Sequence, residues 1–254
     1  MVNRDEVAMD YTNMIKLPNG FFNRKDIETA AFKLDGFRPT QLRNLIAKLL
    51  SRGIIERVGH GVYVLARNEC RTNYCPCRSV EVQHVSDVLS RNFPLLKCRV
   101  WGLSDMNEFL NHQIASKVVF VQVEKEGIEF VFDLLKETLP DTVAVLLSPN
   151  ANDMAHYSKD VTVVVTRLAS EVPQASDGKY GVALEQMAVD MFADRLVASM
   201  LPRGDYSAAI EEMFAKYAIN ESALFRYARR RGKEEELVAF FHNETNIELF
   251  GKDL

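Results

Sequence analysis

The sequence predicts a mixed α/β (α+β) protein in two parts, a small helical module closed by a β-hairpin over residues 1–67 and a larger α/β domain over 80–254, joined by a linker at 68–79. Three observations carry this expectation. Short helical periodicities run into a β-branched hairpin within the first 67 residues, strands alternate with helices from about residue 99 to 168, and amphipathic segments fill the remainder as a helical tail. A chain of 254 residues is long for one compact domain and can bury a core in each of two.

In the first part, Val7, Tyr11, Met14 and Ile15 recur at helical spacing before Pro18-Asn19-Gly20 breaks the pattern. Asn23 followed three residues later by Asp26 has the form of an N-cap with an acidic first turn, and Ile27, Ala30, Ala31 and Leu34 make the apolar stripe of a second helix. Asp35-Gly36 ends it. Pro39 suits a first helical position, where its missing N–H costs nothing, and Leu42, Leu45, Ile46, Leu49 and Leu50 form a third stripe closed by Gly53. Ile54–Val58 and Val62–Leu65 flank Gly59-His60-Gly61 as a hairpin. Three helices followed by a two-stranded wing is the winged helix-turn-helix pattern.

Arg67–Ser79 is polar and contains Pro76, which places the linker there. A helix is expected over Val82–Leu89, a strand from Arg99-Val100-Trp101, a short helix near Asp105–His112, a strand at Val118–Glu124 and a helix at about Gly127–Lys136. Strands at Thr142–Leu147 and Val161–Leu168 complete a mixed sheet. The tail reads as helices at Val182–Met200, Tyr206–Tyr217, Glu221–Arg231 and Glu234–Phe241.

Charge is divided unevenly. Between Phe21 and Arg67 nine basic residues face four acidic ones, a net +5, which leaves −9 on the rest of a chain whose total is −4. A basic module on an acidic body is the asymmetry expected where one part meets nucleic acid, because phosphate contacts release counterions. On the third helix and its approach, Arg38, Thr40, Gln41, Arg43, Asn44, Lys48 and Arg52 lie off the apolar stripe, and Arg57 and His60 belong to the wing. Gln and Asn can pair with adenine, Arg with guanine, and Lys serves as a phosphate counter-charge. Arg226, Arg229, Arg230 and Arg231 form a candidate second basic patch, although cations closing a helix also offset its dipole.

Other chemistry is thinly represented. The sequence has no Gly-rich phosphate loop, no G-x-S-x-G and no H-x3-H pair. Glu124-Lys125 at a strand end superficially resembles the acidic-x-lysine element of restriction-type nucleases, but the two residues are adjacent and no preceding Pro-Asp supplies a second carboxylate. Cys70, Cys75, Cys77 and Cys98 lack paired C-x2-C spacing, so free thiols are expected rather than a metal site, even with His84 and His112 as further donors. No cofactor is expected. With no apolar run of about 18 residues and no secretory stretch at Met1–Glu6, a cytoplasmic protein without membrane association is expected.

The winged module joined to Val100-Trp101-Gly102, to Phe120-Val121-Gln122-Val123-Glu124-Lys125 leading into Phe130-Val131-Phe132-Asp133-Leu134-Leu135-Lys136, and to Tyr217-Ala218-Ile219-Asn220 before Arg226-Tyr227-Ala228-Arg229-Arg230-Arg231-Gly232, resembles the AbiEi-type antitoxins of type IV toxin–antitoxin systems. The resemblance implies a non-enzymatic phage-defence regulator that binds inverted repeats in double-stranded DNA at its own promoter. It also implies antagonism of a nucleotidyltransferase toxin encoded alongside, without a stable complex being required. A nuclease-like DNA-processing enzyme and a winged helix used only for protein contacts are the alternatives.

Overall fold

A computed structural model describes residues 11–18, 21–51, 54–59, 61–65, 72–175, 178, 180–247 and 249. The fold is mixed α/β, with a mixed sheet and C-terminal helices. The chain divides into two compact units, Met1–Cys70 with Leu249–Leu254 and Arg71–Glu248.

In the first unit a 3-10 turn at Tyr11–Asn13 is what the described residues contain of the expected first helix. Strand β1 (Phe21–Asn23) leads directly into helix α1 (Arg24–Ala31). Asn23 ends the one and caps the other: its Oδ1 accepts from Lys25 N–H at 2.7 Å and Asp26 N–H at 3.3 Å, and Asp26 Oδ2 accepts from Asn23 N–H at 2.7 Å. This reciprocal capping satisfies donors that a helix start otherwise leaves open. Pro39 opens a 3-10 turn, Pro39–Gln41, that continues into α2 (Leu42–Ser51). Strands β2 (Ile55–Gly59) and β3 (Val62–Leu65) pair antiparallel, with a bulge between Arg57 and Gly59, and Gly61 at the turn takes φ +75°, where a side chain would be strained. β1 adds to the other side of β3, giving the order β1-β3-β2 and stacking Phe22 on Tyr63. Ile27, Ala31, Leu42, Leu45, Leu49 and Ile55 fill the core beneath. The expected helices and wing therefore carry a third strand, β1, that the sequence reading does not contain.

The second unit starts earlier than the expected linker allows. Tyr74 is buried against Phe109 and Tyr217, with ring centroids at 5.9 and 5.1 Å, and Ala218 N–H donates to the Thr72 carbonyl at 3.1 Å. Residues 72–79 thus pack as part of this unit, because one aromatic side chain anchors an otherwise polar stretch. Ser79 then caps α3 (Val80–Asn92).

The four strands β4 (Cys98–Gly102), β5 (Lys117–Val123), β6 (Val143–Leu147) and β7 (Val161–Arg167) lie in the order β4-β5-β7-β6. β5, β7 and β6 are parallel, and β4 is antiparallel to β5. Val119, Val121, Val163 and Val165 face a core closed by α3 and by α4 (Ile128–Thr138) through Val85, Leu89, Val131 and Leu135. Residues 118–123 are all buried, so both faces of β5 are covered and its sequence is a nearly unbroken apolar run. The expected short helix at 105–112 is a 3-10 turn at Leu103–Glu108.

A helix not anticipated in the sequence, α5 (Ala151–Tyr157), precedes β7. The tail comprises α6 (Leu184–Ala193), α7 (Arg195–Met200), α8 (Tyr206–Lys216), α9 (Glu221–Arg230) and α10 (Glu234–Glu244). The single helix expected over Val182–Met200 is broken at Asp194, which takes an extended backbone and accepts from Leu196 and Val197 N–H. A short carboxylate competing for backbone donors starts a new helix there. Among the described residues no helix is long and apolar enough to cross a membrane.

Candidate nucleic-acid interface

The third helix of the module divides into two faces. Leu42, Leu45, Ile46 and Leu49 are buried, while Arg43, Asn44, Ala47 and Lys48 are exposed on the opposite side, with Thr40 exposed one turn before them. At 100° per residue these five positions form one stripe. Helix burial on the core side therefore fixes which polar groups face outward. Asn44 and Arg43 carry base-pairing chemistry, and Ala47 between them and Lys48 leaves room for close approach of a partner surface.

Gln41 has a different task. Its Oε1 accepts from Arg38 N–H at 2.9 Å, which commits the amide oxygen to closing the turn ahead of α2. Bidentate pairing with adenine would use both the oxygen and the nitrogen of such an amide, so the α2 side chains on this face whose polar groups are not committed within the described residues are those of Arg43 and Asn44. Arg38 itself is exposed beside the helix start, and Arg57 is exposed on β2. Arg52 and His60 lie outside the described residues, as does Cys70.

The four arginines of the candidate second patch have different surroundings. Arg226 is exposed on α9, and Arg229 makes a two-pronged ion pair with Glu234, Nε to Oε2 at 2.6 Å and Nη2 to Oε1 at 2.8 Å. Arg230 Nε donates to Ser170 Oγ. Arg231 turns inward: its side chain is 19% exposed, and Nη1 donates to Asp190 Oδ1 at 2.6 Å and to Tyr227 Oη at 2.8 Å. Neighbouring residues on a helix end point in different directions, so Arg229, Arg230 and Arg231 engage three separate sets of partners.

Around Asp190 lies a buried polar network. Tyr227 Oη donates to Asp190 Oδ1 at 3.1 Å, Gln122 Nε2 and Gln186 Nε2 donate to Oδ2 at 3.4 and 3.3 Å, and Gln186 Nε2 also donates to Gln122 Oε1. Burial pushes the Asp190 carboxyl up to about 6, against the downward pull of the Arg231 guanidinium. Burial also raises the pKa of Tyr227, with the Asp190 charge adding to it. Glu185 is raised by burial too, although Asn220 N–H donates to its Oε1 at 2.7 Å. At neutral pH the Asp190–Arg231 pair is a charged clasp tying α6 to the end of α9.

A family model described as DUF6577, a family of unknown function, matches residues 41–247, more than half of the chain. The chain belongs to DUF6577. No curated protein matches it. The DUF6577 match takes in α2 and the wing together with the second unit, so the stripe from Arg43 to Lys48 and the Asp190 network both lie within the family's extent, while Thr40 falls just before it.

The remaining sequence candidates are dispersed in this DUF6577 chain. Glu124 Oε1 accepts from Lys97 N–H at 3.1 Å. Cys75 and Cys77 are exposed and Cys98 is buried on β4, while His84 is exposed and His112 Nδ1 lies 3.2 Å from Asp205 Oδ2. Among the described residues no group of three or more His, Cys, Asp or Glu side chains is placed to hold a metal ion. The sequence reading missed Gln122, Gln186 and Asp190. Their signal was present: a lone glutamine in the apolar run Val118–Val123, and Gln186 and Asp190 four apart beside Glu185 in the largely apolar Leu184–Phe192, are buried polar groups that demand partners.

Proposed function

We propose that this protein binds double-stranded DNA sequence-specifically, with α2 in the major groove and the wing on the backbone. The observation that carries the reading is the outward stripe Thr40, Arg43, Asn44, Ala47 and Lys48, opposite a fully apolar inner face, in a module whose helices α1 and α2 are followed by a β2-β3 hairpin, the order in which a winged helix-turn-helix presents its recognition helix and wing. The +5 net charge between Phe21 and Arg67 supports it, since a winged helix serving only protein contacts has no need of that excess. The resemblance to AbiEi-type antitoxins extends the proposal: a cytoplasmic, non-enzymatic autorepressor of an operon that encodes a nucleotidyltransferase toxin, bound to inverted repeats and counteracting that toxin without requiring a stable complex.

The test is a titration of the full chain against the DNA upstream of its own gene and against a scrambled duplex of the same length, at several salt concentrations. Preference for the upstream fragment by a factor of about 10³ or more is the expected result. Equal affinity for both duplexes would remove the regulatory reading.

A further inference from the structure

A cleft of about 1030 Å³ opens in the second unit at the carboxyl ends of the parallel strands β5 and β7. In open α/β sheets this is the end where loops gather and ligands bind, and the volume matches the upper end of small-molecule pockets, roughly 300–1,000 Å³. Six basic residues line it, brought from four stretches of chain: Lys97 and Arg99 at β4, Lys125 after β5, Arg167 at the end of β7, and Arg230 and Arg231 at the end of α9. Convergence of cations from separate elements is an arrangement the sequence does not show, because only Arg230 and Arg231 are neighbours.

Most of these cations lack counter-charges. Lys97, Lys125 and Arg167 make no side-chain ion pair or hydrogen bond among the described residues, and Arg230 engages Ser170 through Nε. Arg231 is held by Nη1 alone, which leaves Nε and Nη2 without a hydrogen-bond partner among the described residues while Asp190 and Tyr227 fix the plane of the guanidinium. Such a fork, immobilised from behind, is preorganised for paired acceptor oxygens. Of four carboxylates in the same wall, Glu124 accepts from Lys97 N–H, and Asp194 accepts from Leu196 and Val197 N–H. Glu126 and Glu171 remain, fewer than the cations around them. Glu171 holds φ +60°, a left-handed conformation unusual for a residue with a side chain, on the loop that closes the cleft after β7. Backbone strain of this kind gathers at ligand clamps.

We propose that this cleft binds phosphate groups of a nucleotide-sized ligand, with the exposed Lys97, Arg167 and Arg230 as counter-charges and Arg231 as the fixed fork. The phosphates belong to a free nucleotide or to a single-stranded segment of nucleic acid. The proposal is independent of the role assigned to α2. It is tested by isothermal titration of the full chain with ATP and, separately, with a short oligothymidylate, repeated on the double variant Lys97→Ala/Arg167→Ala and on Arg230→Ala. Lys97, Arg167 and Arg230 are exposed, so thermal unfolding of the variants stays unchanged and confirms that they fold. Removing one charge-assisted hydrogen bond lowers affinity about tenfold, so at least that reduction is expected in the double variant for the probe that binds. ATP binding identifies a free nucleotide, and oligothymidylate binding that disappears in the double variant identifies a nucleic-acid strand. Duplex DNA binding through α2 stays unchanged in both variants. The proposal is overturned if neither probe binds at millimolar concentration, or if the double variant binds each probe as tightly as the unsubstituted protein.

Discussion

Asp190→Asn separates the charge of the buried carboxylate from its shape. In the folded protein burial pushes the Asp190 carboxyl up to about 6 from an ordinary value of 3.8, despite Arg231 at 2.6 Å. The folded state therefore holds the proton more tightly than the unfolded state between those two values. Stability from this group is complete below about pH 4 and is lost as pH rises through about 6. A difference of about 2 pH units, at about 1.4 kcal/mol each, amounts to about 3 kcal/mol. Asp190→Asn removes that titration, while stranding Arg231 adds a cost that does not change with pH, because the guanidinium stays charged throughout. The stability of the unsubstituted protein relative to Asp190→Asn should thus fall by about 3 kcal/mol between pH 3 and pH 7. Urea unfolding followed by the fluorescence of Trp101, the single tryptophan and a buried residue of the same unit, gives the measurement. A difference that stays constant, or that moves in favour of aspartate as pH rises, would show that pairing with Arg231 outweighs burial and would refute the reasoning.

Two further outcomes follow from local geometry. Asn23→Ala removes the acceptor of the Lys25 and Asp26 N–H groups and should cost about 1 kcal/mol, seen as faster amide exchange in the first turn of α1, whereas Asn23→Asp should keep protection near normal; equal exchange in the alanine variant would deny the cap its role. Gly127→Ala would place a Cβ 2.5 Å from Leu96 Cδ1 and should lower the urea midpoint by an equivalent of about 1–3 kcal/mol, with much of the loss restored by adding Leu96→Ala. A neutral single variant would mean that Leu96 moves aside freely.

Periodicity made much of this fold legible, and its lapses have physical causes. The stripe Leu42, Leu45, Ile46, Leu49 marks α2 because one side of it meets a core, and Asn23 with Asp26 marks the start of α1 because helix donors need acceptors. Strand β1 escaped notice since three residues cannot display alternation, and α5 did so because Met154 is its only buried residue. Asp194 interrupts a continuous apolar pattern by capping a new helix, which a hydrophobic stripe alone cannot register. At the candidate interface, exposure of Arg43, Asn44 and Lys48 was readable from the helical repeat, whereas the use of Gln41 as a turn-closing acceptor required three-dimensional geometry. Arg229, Arg230 and Arg231 show the same limit more strongly. Adjacent in sequence, they reach Glu234, Ser170 and Asp190 respectively, because successive positions on a helix point about 100° apart.

The stripe on α2 sets the most direct test of DNA reading. Asn44→Ala deletes a base-pairing amide without altering charge, and Lys48→Ala deletes a cation one turn further along the same exposed face. Both variants are titrated against the upstream DNA and a scrambled duplex over a range of salt concentrations. Asn44→Ala should lose about 1–3 kcal/mol on the upstream DNA and leave scrambled DNA essentially unaffected. Lys48→Ala should weaken both duplexes alike and make the salt dependence shallower by nearly one counterion. Equal weakening of both duplexes by Asn44→Ala would contradict base reading by α2, and no effect from either substitution would show that DNA is not bound on this face.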